Sequence, residues 1–235
     1  MTIKQFISIT PRIVNYNMKI IFAGKFFWFI LAAFSILAFF MFQNAWNRKE
    51  INEGVMYSML IFPSLLLVFY PAVFGIQNDE DCRILEILFG IPNYRYKIWG
   101  MRLLIIYIAI YFILVLFSFA AKYLLFPIDP FETALQLMFP VLFFGNMAFM
   151  FSTITRSGNG TAVVIIMLGI ALLFFGEILS NSFWNVMLNP FESPDNIHPY
   201  IWESTLIKNR IFLFVGATVW LMIGLLNLQK REKFV

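Results

Sequence analysis

The side chains able to do chemistry in this 235-residue chain are few and stand far apart in apolar sequence. Asn146, Ser152 and Thr153 fall in one hydrophobic run, with Gln136 nearer its start, and Glu177 lies near the close of the next run. General acid–base work needs ionisable groups that converge on one proton, and a metal centre needs three or four His, Cys or carboxylate ligands. The chain has one His, His198, and one Cys, Cys82. No hydrophobic run carries paired carboxylates or a His–Glu set at such a spacing. No catalytic residue and no metal ligand is therefore assigned. A single Cys also excludes an internal disulfide. A nucleotide-cradling Gly-x-x-x-x-Gly-Lys-Ser/Thr run is missing as well; Arg156-Ser-Gly-Asn-Gly160 has the glycines but no Lys after them. What remains is a set of polar groups in apolar runs, which face other helices or a cavity. Asn146, Ser152, Thr153 and Glu177 are the candidates for lining a pathway. Asn146 beside Gly145 reads equally as a hydrogen bond between helices. Glu177 has three readings: contact with a cationic substrate or ion, pairing with Lys208 or Arg210, or reach into surface water.

The elements that must position these groups are membrane spans. Hydrophobic residues make up 61% of the chain and charged residues 13%, against roughly 45–50% and about 25% in soluble domains. A span needs about 20 mostly apolar residues, and residues 26–42, 55–76, 98–121, 131–154, 161–179 and 211–228 qualify. Continuous apolar runs of this length are helices, because backbone polar groups in lipid must be satisfied within the segment. Pro63, Pro71 and Pro140 are expected to kink their helices. Cytoplasmic loops carry an excess of Lys and Arg. With the N-terminus inside, twelve basic residues fall inside and five outside, so both termini are expected in the cytoplasm. The net charge of +4 gives no indication of nucleic-acid binding.

Residues 1–25 are too polar to span and lack a small-residue cleavage site, so they are read as retained. Thr10-Pro11 resembles an N-cap followed by Pro at the first helical position. Beyond it, apolar residues interleave with Arg12 and Lys19, as in a helix lying in the membrane interface. The link Arg156 to Gly160 forces a tight helical hairpin. Residues 180–210, rich in Asn, Pro and Trp, are expected to form short helices on or in the outer leaflet. The fold class is thus an all-α polytopic membrane protein with six transmembrane helices in one domain over 1–235.

Gln77 to Arg102 is the segment that spans and loops do not explain. Two antiparallel helices need only a few linking residues. Here Asp79-Glu80-Asp81 is followed by an apolar series, Ile84, Leu85, Ile87 and Leu88, with Arg83 and Glu86 on other sides, and Gly90 and Pro92 then stop a helix. Acidic residues in a first turn suit the positive end of the helix dipole. Tyr94, Arg95, Tyr96, Lys97 and Trp99 form an aromatic-basic band where the chain returns to the membrane. The expectation is a short amphipathic helix parallel to the membrane, on the cytoplasmic side, within residues 77–97.

This segment resembles the first intracellular helical region of the ABC type 2 permease family, the membrane subunits of a class of ATP-binding cassette transporters. Leu85-Glu86 matches the family's Leu-Glu pair, Ile87-Leu88 its apolar pair, Pro92 its proline and Gly100 the glycine entering the third span. Arg83-Ile84 stands where the family often has Gly-Thr, and Met101 where it has Lys. The resemblance extends over the whole plan of interfacial helix, six spans, inner hairpin and outer segment. It implies an exporter-like permease in the cytoplasmic (inner) membrane that pairs with a second permease subunit, as homodimer or heterodimer, and with a separate ATPase that carries ATP and Mg. It implies that residues 77–97 form a coupling helix on which the ATPase docks. Asp79, Glu80, Asp81, Arg83, Leu85, Glu86, Leu88 and Pro92 are the docking candidates, with the acidic triplet either pairing with the partner or capping the helix. No cofactor is expected on this chain itself. Two further readings remain: a non-transporting membrane anchor for an ATPase, and an intramembrane enzyme.

Overall fold

The computed structural model describes residues 26–47, 51–81, 95–194 and 197–228. Within these, the side chains of residues 45, 47, 80, 81, 95–97 and 177 are not described. The described chain is helical, without a strand. The helices are α1 (Phe26–Asn47), α2 (Glu53–Asp81), α3 (Met101–Leu124), α4 (Pro130–Thr155), α5 (Gly158–Ile178) and α6 (Pro199–Asn227), and a π-helical turn, Arg95–Gly100, leads into α3. All six are long and apolar enough to cross a membrane, as the hydrophobic runs predict. The N-terminal interfacial helix and the centre of the coupling helix, with Arg83, Leu85, Glu86, Leu88 and Pro92, fall outside the described residues.

Local sequence accounts for four of the six helix starts. Asn52 Oδ1 accepts from the amide of Val55 at 2.8 Å and opens α2. Asp129 Oδ1 accepts from Phe131 N and Glu132 N at 2.9 and 3.2 Å, with Pro130 at the first helical position of α4. Ser157 Oγ caps α5 through Gly160 N. His198 caps α6, its Nδ1 accepting from Tyr200 N at 3.3 Å ahead of Pro199. Each cap satisfies an amide that the helix leaves unpaired. Arg156 ends α4 in the left-handed conformation, φ 55°, and the α4–α5 link shrinks to Arg156 and Ser157. Pro63, Pro71 and Pro140 sit inside continuous helices.

Three expectations change. The acidic triplet does not open a new helix: α2 continues through Asp81, so Asp79, Glu80 and Asp81 form its last turn. The short outer helices are also absent from the described residues. Residues 179–194 run as successive turns, because Ser182, Asn185 and Asn189 turn their side-chain oxygens onto the amides of Trp184, Met187 and Phe191. Such local bonds compete with helix formation. The helical part of the outer segment is instead an extension of α6, which begins at Pro199, twelve residues before the predicted span.

α4 is the centre of the bundle and touches α2, α3, α5 and α6, while α1 lies against α2. Glycines allow the closest approaches. A Cβ on Gly216 would fall 2.6 Å from Phe143, and one on Gly224 2.8 Å from Phe149, so α6 lies directly on the aromatic face of α4. Small residues serve this purpose where lipid offers no hydrophobic force between helices.

Candidate functional site

Polar residues inside the bundle gather mainly at two ends, with one pair between them. At the first, Asp79 on α2 and Arg102 on α3 form an ion pair at 2.7 Å, with side chains 2% and 5% exposed. It is the one ion pair among the described residues. Burying two charges costs several kcal/mol each unless they are paired and hydrogen-bonded, which explains why α2 runs on to deliver Asp79 to Arg102. The Arg102 guanidinium also lies over the Trp99 ring, 4.6 Å from its centroid, and Trp99 packs on Phe149 of α4 at 5.6 Å. The π-helical turn carries Trp99, which is 1% exposed, into this position.

The same end is tied across four helices. Gln77 Oε1 accepts from Gly158 N at 2.5 Å and joins α2 to the start of α5. Ser152 Oγ donates to the Val73 carbonyl at 3.0 Å and joins α4 to α2. Asn227 Nδ2 donates to the carbonyl and hydroxyl oxygens of Thr153 at 2.8 and 3.2 Å, joining α6 to α4. Thr153 also donates to the Met150 carbonyl. In mid-bundle, Tyr107 Oη donates to Asn146 Oδ1 at 2.6 Å. Asn146, Ser152 and Thr153 are all buried, and their bonds run between or within helices.

At the other end, Asn209 of α6 donates to the carbonyls of Phe183 and Asn185, both at 2.8 Å. Asn189 donates to Gly54 O at 2.8 Å and Ser58 Oγ at 3.1 Å on α2. Arg210 donates to Gln136 Oε1 at 2.8 Å and lies 5.2 Å from the Phe139 ring centroid. No carboxylate of the described residues is paired with it. Glu177 lies in the last turn of α5.

The structure brings Asp79 into the bundle rather than onto its surface, and its partner Arg102 was missed as a site residue in the sequence. The signal was present: an arginine five residues inside an apolar run needs an acid at similar depth. Gln77, Tyr107, Asn185, Asn189, Asn209 and Asn227 are polar residues that gave no periodic signal. Among the described residues no group of three His, Cys, Asp or Glu side chains could hold a metal. No family model, no curated protein and no solved structure matches the chain.

Proposed function

We propose that this chain is the membrane-spanning permease subunit of an ATP-binding cassette transporter, moving a substrate outward across the cytoplasmic membrane with ATP hydrolysed on a separate ATPase. Two permease subunits and their ATPases form the working assembly. The observation that carries this reading is the buried Asp79–Arg102 pair at 2.7 Å. It closes the base of the segment that resembles the family's coupling helix. A load applied to that segment would enter α2 and α3 together, and through Trp99 and Phe149 it would reach α4. The missing P-loop motif supports the division of labour, since the energy must then come from another chain. Docking falls to Arg83, Leu85, Glu86 and Leu88. Asp79 acts from the bundle side as a positioning residue.

The test is reconstitution in vesicles with an ATP-binding cassette ATPase that co-purifies with the chain, reading ATP hydrolysis and flux together. Glu86→Ala with Leu88→Ala is expected to abolish ATPase binding and stimulated hydrolysis while the permease still inserts and dimerises. Unchanged stimulation would overturn the docking assignment. Nucleotide-dependent assembly without flux would identify a membrane anchor instead.

A further inference from the structure

Two cavities share a wall at the Asn189 end of the bundle. The first is an apolar groove of about 580 Å³ between α2 and α5, floored by Phe144 and Ala148 of α4. Its walls run from Ser58 to Phe69 on α2 and from Ile165 to Leu173 on α5. The second is a chamber of about 590 Å³ under the turns of residues 180–194, lined by Asn52, Asn181, Asn185, Asn189, Glu192 and Trp202 among others. Met187 lines both cavities. The hydrogen bond from Asn189 to Ser58 at 3.1 Å joins a chamber residue to a groove residue. Each volume lies within the about 300–1,000 Å³ typical of small-molecule sites.

From these two cavities we infer that the chain binds one membrane amphiphile, with its apolar chain in the groove and an uncharged, hydroxyl-bearing headgroup in the chamber. The length of the groove fits the chain. The twelve residues from Ser58 to Phe69 rise about 16 Å over eleven steps of about 1.5 Å, close to half of an approximately 30 Å hydrocarbon core and so about one leaflet. The chemistry of the chamber selects the headgroup. Asparagines offer both donors and acceptors, as hydroxyl groups require. Trp202 lines the chamber and is 6% exposed, and its buried indole N–H has no acceptor among the described residues, an unsatisfied donor at the chamber wall. Among the described residues no Lys or Arg lines the chamber, so an anionic headgroup would meet no counter-charge from them. The one carboxylate among the described lining residues, Glu192, already accepts from Asn189 at 3.2 Å. The chamber is also held in shape without ligand, since Asn209 fixes the carbonyls of Phe183 and Asn185. The inference goes beyond the permease reading and needs no ATPase.

The test is photolabelling of the purified full chain in nanodiscs. One probe is an alkyl glucoside with a diazirine on its chain; the other is the diazirine alkane of equal length. Peptide mapping is expected to place the glucoside label between residues 58 and 69 and between residues 165 and 173, with the glucoside labelling more strongly than the alkane. A Cβ on Gly169 would meet nothing within 4 Å, so Gly169→Phe fills the groove without displacing the bundle and should cut labelling by both probes about tenfold or more. Gly169→Ala should leave it within about twofold. Trp202→Phe removes the indole N–H together with the five-membered ring, and the alkane probe controls for the lost ring. The substitution should weaken the glucoside about tenfold, the worth of one buried hydrogen bond at about 1.4 kcal/mol, and leave the alkane unchanged. Equal labelling by the two probes, or indifference to Trp202→Phe, overturns the headgroup assignment. Label lying outside the groove, or a groove shielded by a second copy in the dimer and labelled only in the monomer, overturns the site. A chain that labels as expected but shows no ATP-driven flux would refute the permease reading alone.

Discussion

α4 and α5 are both spans joined by only two residues, yet 78% of the most apolar window of α4 is buried in the bundle against 17% for α5. The difference runs against hydropathy, since α5 is the more hydrophobic of the two. In lipid, apolar surface has no preference for the protein interior, because acyl tails are as apolar as leucine. The centre goes to the helix that offers close approach and polar bonds. α4 supplies Gly145, against Val68 and Tyr107, and Asn146, Ser152 and Thr153, each bonded within the bundle. α5 turns Ile166, Ile170 and Phe174 outward. Its Gly169 borders open space rather than a neighbouring helix.

This contrast can be broken experimentally, beginning with the largest effect. Asp79→Ala leaves Arg102 charged beneath Trp99 at the edge of the α4 core, and a broken buried pair costs about 3–5 kcal/mol. Thermal unfolding in detergent should show this loss. Asp79→Leu combined with Arg102→Leu should recover much of it, because no unpaired charge remains. Equal damage from the single and double variants would contradict an electrostatic role for the pair.

Gly145→Leu comes next. Its Cβ would lie 2.6 Å from Val68 Cγ2 and 2.7 Å from Tyr107 Oη, an overpacking expected to cost about 1–3 kcal/mol. Gly169→Leu in α5 should stay within about 0.5 kcal/mol of the parent, as a substitution outside the core does. If the same unfolding measurement gave equal losses at the two glycines, the contrast between the helices would fail.

Two smaller effects sharpen it. Asn146→Leu leaves the Tyr107 hydroxyl without its acceptor and should cost about 0.6–1.7 kcal/mol, the range for hydrogen bonds between membrane helices. Adding Tyr107→Phe should return stability toward the parent, which a double-mutant cycle would measure. Gly169→Ala should be neutral or raise stability by up to about 0.5–1 kcal/mol, through helix propensity alone.

Much of the fold is legible in the chain, for identifiable reasons. The predicted start of α1 at residue 26 and both limits of α4 fall within one residue of the observed bounds, since long apolar runs flanked by Asp129-Pro130 or Ser157 signal themselves locally. α6 begins twelve residues early because residues 199–210 carry Glu203, Lys208 and Arg210 and do not read as a span, although Pro199 and His198 form its N-terminus. α2 runs five residues past its predicted end for a non-local reason: Asp79 is stabilised inside only by Arg102, 23 positions later. The outer turns were misread as helices because an aromatic-rich interface segment suits either form, and the asparagine bonds that decide between them are single-residue features.

The sequence by itself determined, through apolar length, that the chain forms six helices long and apolar enough to cross a membrane. Only the tertiary structure decided which helix stands at the centre, that Asp79 faces inward to Arg102, and that an apolar groove meets an amide-lined chamber at Met187. Apolar length is a local property that lipid reads directly. Helix order in the bundle depends on small and polar residues meeting partners dozens of positions away, and hydropathy carries no record of those meetings.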